Sequence, residues 1–230
     1  MPGKDELVDL GTAFNSMAKG LSEREKMTKY LSKAAVESVK GNANTIMGGK
    51  LIKAAILFSD IRSFTTVSEK LEPESLVKLI NIYFDLQTKI IEKYGGIVDK
   101  FVGDQIMALF LEEEMADQAV QAAVEFQKEI RKLNTKRKKA NKEILQVGIG
   151  IHYGPVMIGS MGTKTRMDYT AIGDTVNLGA RLCSIAKPGQ IVIPQKMIRR
   201  LKGSYSIVKM EPLILKGRNR PVQLYSVNYD

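Results

Sequence analysis

The chain has 230 residues, 44% of them hydrophobic and 26% charged, enough for one core and a small appendage and too few for several large domains. Lys and Arg number 35 against 25 Asp and Glu, and the net charge of +10 points to polyanions such as nucleotides, nucleic acid or an acidic membrane face. The single cysteine, Cys183, excludes a disulfide scaffold and a zinc finger and fits a reducing cytoplasm, while no apolar run approaches the roughly 18 residues of a membrane span and Met1 to Asp9 lacks a signal-peptide core. As it stands, the chain reads as soluble.

From Lys4 to about Lys40 there is no proline, and Leu7, Leu10, Phe14, Met17 and Leu21 recur at alternating spacings of three and four, a heptad seam. The register then slips. Arg24 and Thr28 fall in the seam, whereas Met27, Leu31 and Ala34 resume it one step out of phase, so two helical pieces joined by a stutter are expected. A helix packed on its own domain and a parallel dimer stalk both fit, and the narrow seam on a polar segment favours the stalk. Gly41 to Lys50 reads as a linker.

An α+β domain follows. Leu51 to Phe58 is a buried strand, Leu76 to Ile91 carries helical spacing, and Tyr94-Gly95-Gly96 ends that helix. Ile97 to Phe101 and Gln105 to Phe110 flank Gly103-Asp104 as a hairpin. Met115 to Lys139 is a long helix with a basic end, Lys132 to Lys139, which reads as a solvated helix end and loop. Gln146 to Tyr153 is a strand closed by Gly154-Pro155. Then come a protruding ribbon, Met157 to Tyr169, a helix from about Asp174 to Ile185, and strands near Gln190 to Ile193, Tyr205 to Val208, Leu213 to Leu215 and Gln223 to Val227. The order from Leu51 to Ile151 spells βαββαβ, the ferredoxin-like palm, with one mainly antiparallel sheet.

Two carboxylates stand out. Asp60 follows the first strand directly, in Phe58-Ser59-Asp60-Ile61-Arg62-Ser63-Phe64-Thr65, and Asp104 sits at the hairpin tip. Taken singly, Asp60 caps a short helix at Ser63 and Asp104 is a turn residue. Taken together, on neighbouring strands, they repel unless cations lie between them, and hard oxygen ligands suit Mg²⁺ or Mn²⁺ in two-metal phosphoryl or nucleotidyl transfer. His152 has no second histidine to share a metal and reads as structural, and no Walker-type phosphate loop appears.

Phe58 to Thr65, Asp99 to Phe110 and Met167 to Leu182 resemble the signature blocks of class III adenylate/guanylate cyclases, in the right order, over roughly Leu51 to Tyr229. Lys4 to Leu21 is similar to the second helix of a HAMP signalling domain. The resemblance implies a division into residues 1–22, a partial HAMP; 23–49, a signalling helix and linker; and 50–230, the catalytic domain. It also implies a fragment from the cytoplasmic side of a membrane-bound receptor.

By the same resemblance, Asp60, Asp104 and the carbonyl of Ile61 hold two Mg²⁺ or Mn²⁺ ions, and the amides of Phe64 and Thr65 face the terminal phosphates. Lys100 and Thr170 read the base, Asn177 orients the ribose, Arg181 stabilises charge on the α-phosphate and Lys216 binds the β- and γ-phosphates. Lys100 stands where adenylate-forming members carry Lys and guanylate-forming members Glu; an ammonium donates only, which suits adenine N1. Many adenylyl cyclases have Asp where this chain has Thr170, and Thr marks a variant subgroup. Because a hydroxyl both accepts and donates, Thr170 discriminates weakly and Lys100 must carry most of the choice. Without that context Lys100 and Lys216 are surface lysines, Phe64 is core, and Asn177 and Arg181 are a polar pair on one helix face. The implied reaction is cyclisation of ATP to 3′,5′-cyclic AMP and pyrophosphate in a parallel homodimer with two shared sites, with Asp60, Lys100, Asp104 and Lys216 across the interface from Asn177 and Arg181. A guanylate cyclase, a non-catalytic nucleotide-binding regulator and a nucleic-acid-binding palm domain remain as alternatives; an ATP-cyclising dimer involves no nucleic acid.

Overall fold

The structure is a computed structural model that describes residues 4–28, 36, 49–111, 113–163, 165–217 and 219–229. Eight strands form one sheet: β1 (Gly49–Ile61), β2 (Ile97–Val102), β3 (Gln105–Phe110), β4 (Val147–Thr163), β5 (Arg166–Ile172), β6 (Ile191–Pro194), β7 (Ser206–Lys209) and β8 (Leu224–Asn228). Their order is β2-β3-β1-β4-β6-β8-β7, with β5 added to the outer half of β4. The first four strands keep the 2-3-1-4 order of a ferredoxin-like unit, and the β4–β6 pairing is the parallel one in an otherwise antiparallel sheet. The expected fold class is therefore the observed one.

The apolar run in β1 has two buried faces. Ala55 and Leu57 belong to the core with α3 (Pro73–Lys93) and α4 (Met115–Lys139), through Leu79, Tyr83, Ile91, Ala123 and Phe126. Ala54, Ile56 and Phe58 point the other way and cluster with Val156 and with Cys183 of α5 (Asp174–Ile185). A strand covered on both sides must be apolar at successive positions, which is why this one reads as a continuous run. Helix α3 ends as its Tyr-Gly-Gly predicts: Gly95 takes φ 74° and donates to Glu92 O, and Gly96 donates to Ile91 O at 2.9 Å, closing a Schellman motif.

Several boundaries differ from expectation. Gly49 and Lys50 open β1, paired with Gly159 and Ile158, and are not linker. Gly154-Pro155 does not close β4. Pro155 lies between the stretch paired to β6 and the stretch paired to β5, where one side of the strand has no ladder to supply, so its missing N–H costs nothing. Leu213 to Leu215 makes one bridge, Leu213 to Val222, because Pro212 and Pro221 beside it prevent a longer ladder. A four-residue helix, α6 (Gln195–Ile198), was not expected. The five-residue α2 (Phe64–Ser68) begins after Ser63, whose φ is 58°, and no side chain caps it. His152 is buried opposite Ile56, as a structural histidine would be. Lys136, Lys138 and Lys139 are exposed at the end of α4, where Arg137 Nε donates to Glu143 O at 2.6 Å.

Helix α1 (Lys4–Thr28) runs unbroken through Arg24. Leu10, Phe14, Met17 and Leu21 are each more than half exposed along it. Leu31 and Ala34, with most of the second helical piece and Gly41 to Gly48, lie outside the described residues. Among the described residues no helix is long and apolar enough to cross a membrane.

Candidate active site

The expected metal ligands meet at one end of the sheet. Asp60 is the penultimate residue of β1 and pairs in register with Gln105 of β3, so Asp104, next to Gln105, stands beside it. Burial pushes the Asp60 carboxyl above its usual range, the Arg62 guanidinium pulls it down, and the charge and hydrogen bond of Asp104 push it up again. Two half-buried carboxylates in contact repel one another, and a hard divalent cation between them would relieve that repulsion; the donor set fits such an ion. Ser59, one residue earlier, donates to Gln87 Oε1 at 2.5 Å and ties this end of β1 to α3.

Arg62 is a site residue that motif reading did not single out. Its Nη2 donates to Asp60 Oδ2, its Nε to the Asp60 carbonyl at 3.2 Å, and its Nη1 to the carbonyls of Ser184 and Ala186 at 3.4 Å each. It therefore couples the carboxylate end of β1 to the C-terminal end of α5. That answers the alternative role for Asp60: its carboxylate is engaged by Arg62 and does not cap α2.

The base-reading positions lie on β2 and β5. Between Val98 and Lys100 the β2–β3 register shifts by one residue, a bulge that leaves Asp99 as the extra residue. Asp99 is buried, and its Oδ2 accepts a hydrogen bond from Thr170 Oγ1 at 2.6 Å, joining β2 to β5; Lys100 Nζ stands 3.8 Å from the same oxygen. Asp99 also escaped motif reading, although a signal existed. Consecutive charges inside a strand point to opposite faces, so either Asp99 or Lys100 had to be turned inwards.

Asn177 and Arg181 sit on α5, which packs tightly on the sheet. A Cβ on Gly150 would lie 2.1 Å from the Cys183 nitrogen, and one on Gly179 would lie 3.1 Å from the Phe58 ring. Cys183 Sγ donates to Gly148 O at 3.3 Å, and burial pushes its thiol up to about 12. Gly217, with φ 74°, lies against Arg181: a Cβ there would be 3.2 Å from Nη2. Lys216, exposed and adjacent to Gly217, is thus grouped with Arg181 within one chain. The expected grouping puts Lys216 with Asp60, whereas the turn that follows buried Leu215 folds back onto α5. The structure brings together Asp60 with Asp104, Lys100 with Thr170 through Asp99, and Arg181 with the Lys216 turn. Phe64 and Thr65 open α2 four and five residues beyond Asp60, with Phe64 packed against the main core.

Comparison with known proteins identifies the family and the fold. Residues 50–228 match the family model described as the adenylate and guanylate cyclase catalytic domain. The chain is 33% identical over 230 residues to an adenylate cyclase of Anabaena cylindrica, covering 95% of this chain and 45% of that protein. It spans less than half the length of the curated relatives it matches. The crystal structure of the adenylyl cyclase CyaB from P. aeruginosa superposes with a TM-score of 0.75 at 36% identity, over 79% of this chain and 96% of that one. The guanylyl cyclase Cya2 does so with a TM-score of 0.71 at 35% identity, over 79% and 94%. With the family model covering nearly everything from β1 to β8 and the carboxylate pair at the sheet end, the chain belongs to the adenylate and guanylate cyclase catalytic domain family.

Proposed function

We propose that this chain cyclises ATP to 3′,5′-cyclic AMP and pyrophosphate. The observation that carries the reading is the contact between the Asp60 and Asp104 carboxylates at the mouth of β1, in a chain of this family. Asp60, Asp104 and the Ile61 carbonyl would hold two Mg²⁺ or Mn²⁺ ions. Bound there, such ions lower the pKa of the ribose 3′-hydroxyl and screen the triphosphate.

The chain's own residues do the rest. Lys100 donates to adenine N1 and Thr170 meets the 6-amino group. Asn177 holds the ribose so that its 3′-oxygen lies in line with the α-phosphorus. The 3′-oxygen forms a bond to that phosphorus, the bond from it to the β-bridging oxygen breaks, pyrophosphate leaves, and the hydroxyl proton passes to solvent. Arg181 stabilises the charge that develops on the α-phosphate, and Lys216 with the amides of Phe64 and Thr65 binds the leaving phosphates.

The site is shared in a symmetric, parallel homodimer: Asp60 and Asp104 of one protomer work with Asn177, Arg181 and Lys216 of the other. All these roles are filled within one sequence, which supports two equivalent sites. Helix α1 supports the parallel arrangement, since its exposed seam suits a second copy. We read it as the second helix of a HAMP module and residues 23–49 as the signalling segment that sets the angle between catalytic domains 50–230, at the cytoplasmic face of a membrane receptor. Thr170 supports reading the chain as a member of the Thr-variant subgroup.

The test is turnover of ATP and GTP by the purified chain with Mn²⁺, at protein concentrations that favour the dimer. Cyclic AMP with ATP preferred is expected. Preference for GTP makes it a guanylate cyclase, and no cyclic product from either nucleotide makes it a nucleotide-binding regulator.

A further inference from the structure

Thr170 presents a puzzle that the structure resolves. A threonine hydroxyl can accept from the amino group of adenine or donate to the oxygen of guanine, so left free to rotate it accommodates either base. It is not left free. The Thr170 hydroxyl carries one proton, and that proton points at Asp99 Oδ2, 2.6 Å away. Asp99 reaches this place only because the bulge between Val98 and Lys100 turns an additional residue into the protein interior, where its side chain is 99% covered. A carboxylate so buried costs stability unless something is gained from it.

We propose that Asp99 is a specificity-determining positioning residue: by accepting the Thr170 proton it leaves Thr170 only lone pairs to offer the nucleobase. The proposal rests on the reading of this chain as an ATP-cyclising domain. Its consequence is a fixed pattern of polarity. Lys100, whose ammonium stands 3.8 Å from the same carboxylate oxygen, offers donors only, and Thr170 offers an acceptor only. Adenine has an acceptor at N1 and a donor on its 6-amino group, which complements both. Guanine has N1–H and a 6-oxygen, which opposes both: the N1–H meets an ammonium and the oxygen meets a lone pair. One aspartate thus serves two readers, fixing the hydroxyl of Thr170 by hydrogen bonding and drawing the Lys100 ammonium towards it by charge. Burial holds the Asp99 carboxyl above its usual range, with the Asp168 charge adding to the rise and the Thr170 hydrogen bond and Lys100 charge acting against it.

The test compares kcat/KM for ATP and for GTP in the wild type, Asp99→Ala, Thr170→Val and the double variant, with thermal melting run on each. Asp99→Ala frees the hydroxyl to turn its proton towards guanine, and the ATP-to-GTP ratio is expected to fall by about tenfold or more. In the Thr170→Val background there is no proton to orient, so Asp99→Ala is expected to leave the ratio where Thr170→Val alone put it. A purely structural aspartate would lower turnover of both nucleotides together and keep the ratio. If Asp99→Ala does not fold, Asp99→Leu keeps the branch at Cγ and fills the site without an acceptor, and carries the same expectation. An ATP-selective wild type whose ratio survives loss of Asp99 in a folded variant overturns this inference and leaves the functional reading standing. A folded wild type that cyclises neither nucleotide sinks the functional reading and the inference with it.

Discussion

The placement of Arg181 relative to the carboxylate pair depends on how closely α5 lies on β4, and Gly150→Ala probes that distance. An added Cβ would sit 2.1 Å from the Cys183 nitrogen and 2.6 Å from the Leu182 carbonyl carbon, against the 3.4 Å at which ordinary contact begins. Both obstacles are helix backbone, so no side chain can swing away, and the helix must back off by about 1.3 Å. Overpacking of this kind costs about 1–3 kcal/mol, which for a chain of this size lowers Tm by roughly 2–12 °C. The larger effect falls on chemistry. Asn177 and Arg181 ride on the same helix, and a displacement of about 1 Å in a positioned catalytic group costs on the order of 100-fold in rate. The assay is cyclic AMP formation at saturating Mn²⁺-ATP, with melting in parallel. A folded Gly150→Ala protein with wild-type kcat would refute the claim that α5 fixes the site geometry.

Other outcomes follow from single contacts. Phe14→Glu together with Leu21→Glu puts charge into the exposed seam of α1 and is expected to weaken dimerisation at least tenfold in sedimentation equilibrium; an unchanged association constant would detach the helix from assembly. Tyr83→Phe removes the hydroxyl that accepts from the buried Leu145 amide at 3.0 Å and donates to Asn134, and should cost about 1–3 kcal/mol in urea unfolding. Burial raises the Asp117 carboxyl, but the amides of Lys202 and Gly203 and the Tyr205 hydroxyl outweigh it, and the net shift is downwards. A depressed carboxyl stabilises the fold above its unfolded pKa of about 3.9 and loses that contribution as pH falls through the lower folded value. Asp117→Ala should therefore be less stable than wild type at pH 7, with the gap closing in acid; a gap independent of pH would contradict the assignment.

The elements that the sequence announced clearly are those governed by local chemistry. Helix α4 falls where its periodicity and basic end place it, from Met115 to Lys139, and the Tyr-Gly-Gly stop of α3 is a matter of one left-handed glycine. The carboxylate pair was legible because strand ends and hairpin tips are local features, and register then brings Asp60 beside Asp104. What escaped depends on distant partners. Pro155 looked like a terminator because its tolerance depends on where β5 and β6 pair with β4, which no local window contains. Asp99 looked like an ordinary strand residue because its meaning comes from a bulge and from Thr170, 71 residues away. Lys216 reads locally as a surface lysine, because the turn that carries it is positioned by the packing of Leu215 against α5. Arg62 lay within a quoted motif, yet its contacts with Ser184 and Ala186 exist only after folding.

The central claim is a shared site in which carboxylates of one protomer serve the arginine of another. Cyclic AMP production by Asp60→Ala, by Arg181→Ala and by the two mixed and allowed to exchange tests it most directly. Each variant alone should be inactive. In the mixture half of the dimers are mixed and each of those has one intact site, so activity should return to about a quarter of wild type. Activity that survives Asp60→Ala, or a mixture that stays inactive although mixed dimers form, would contradict the account.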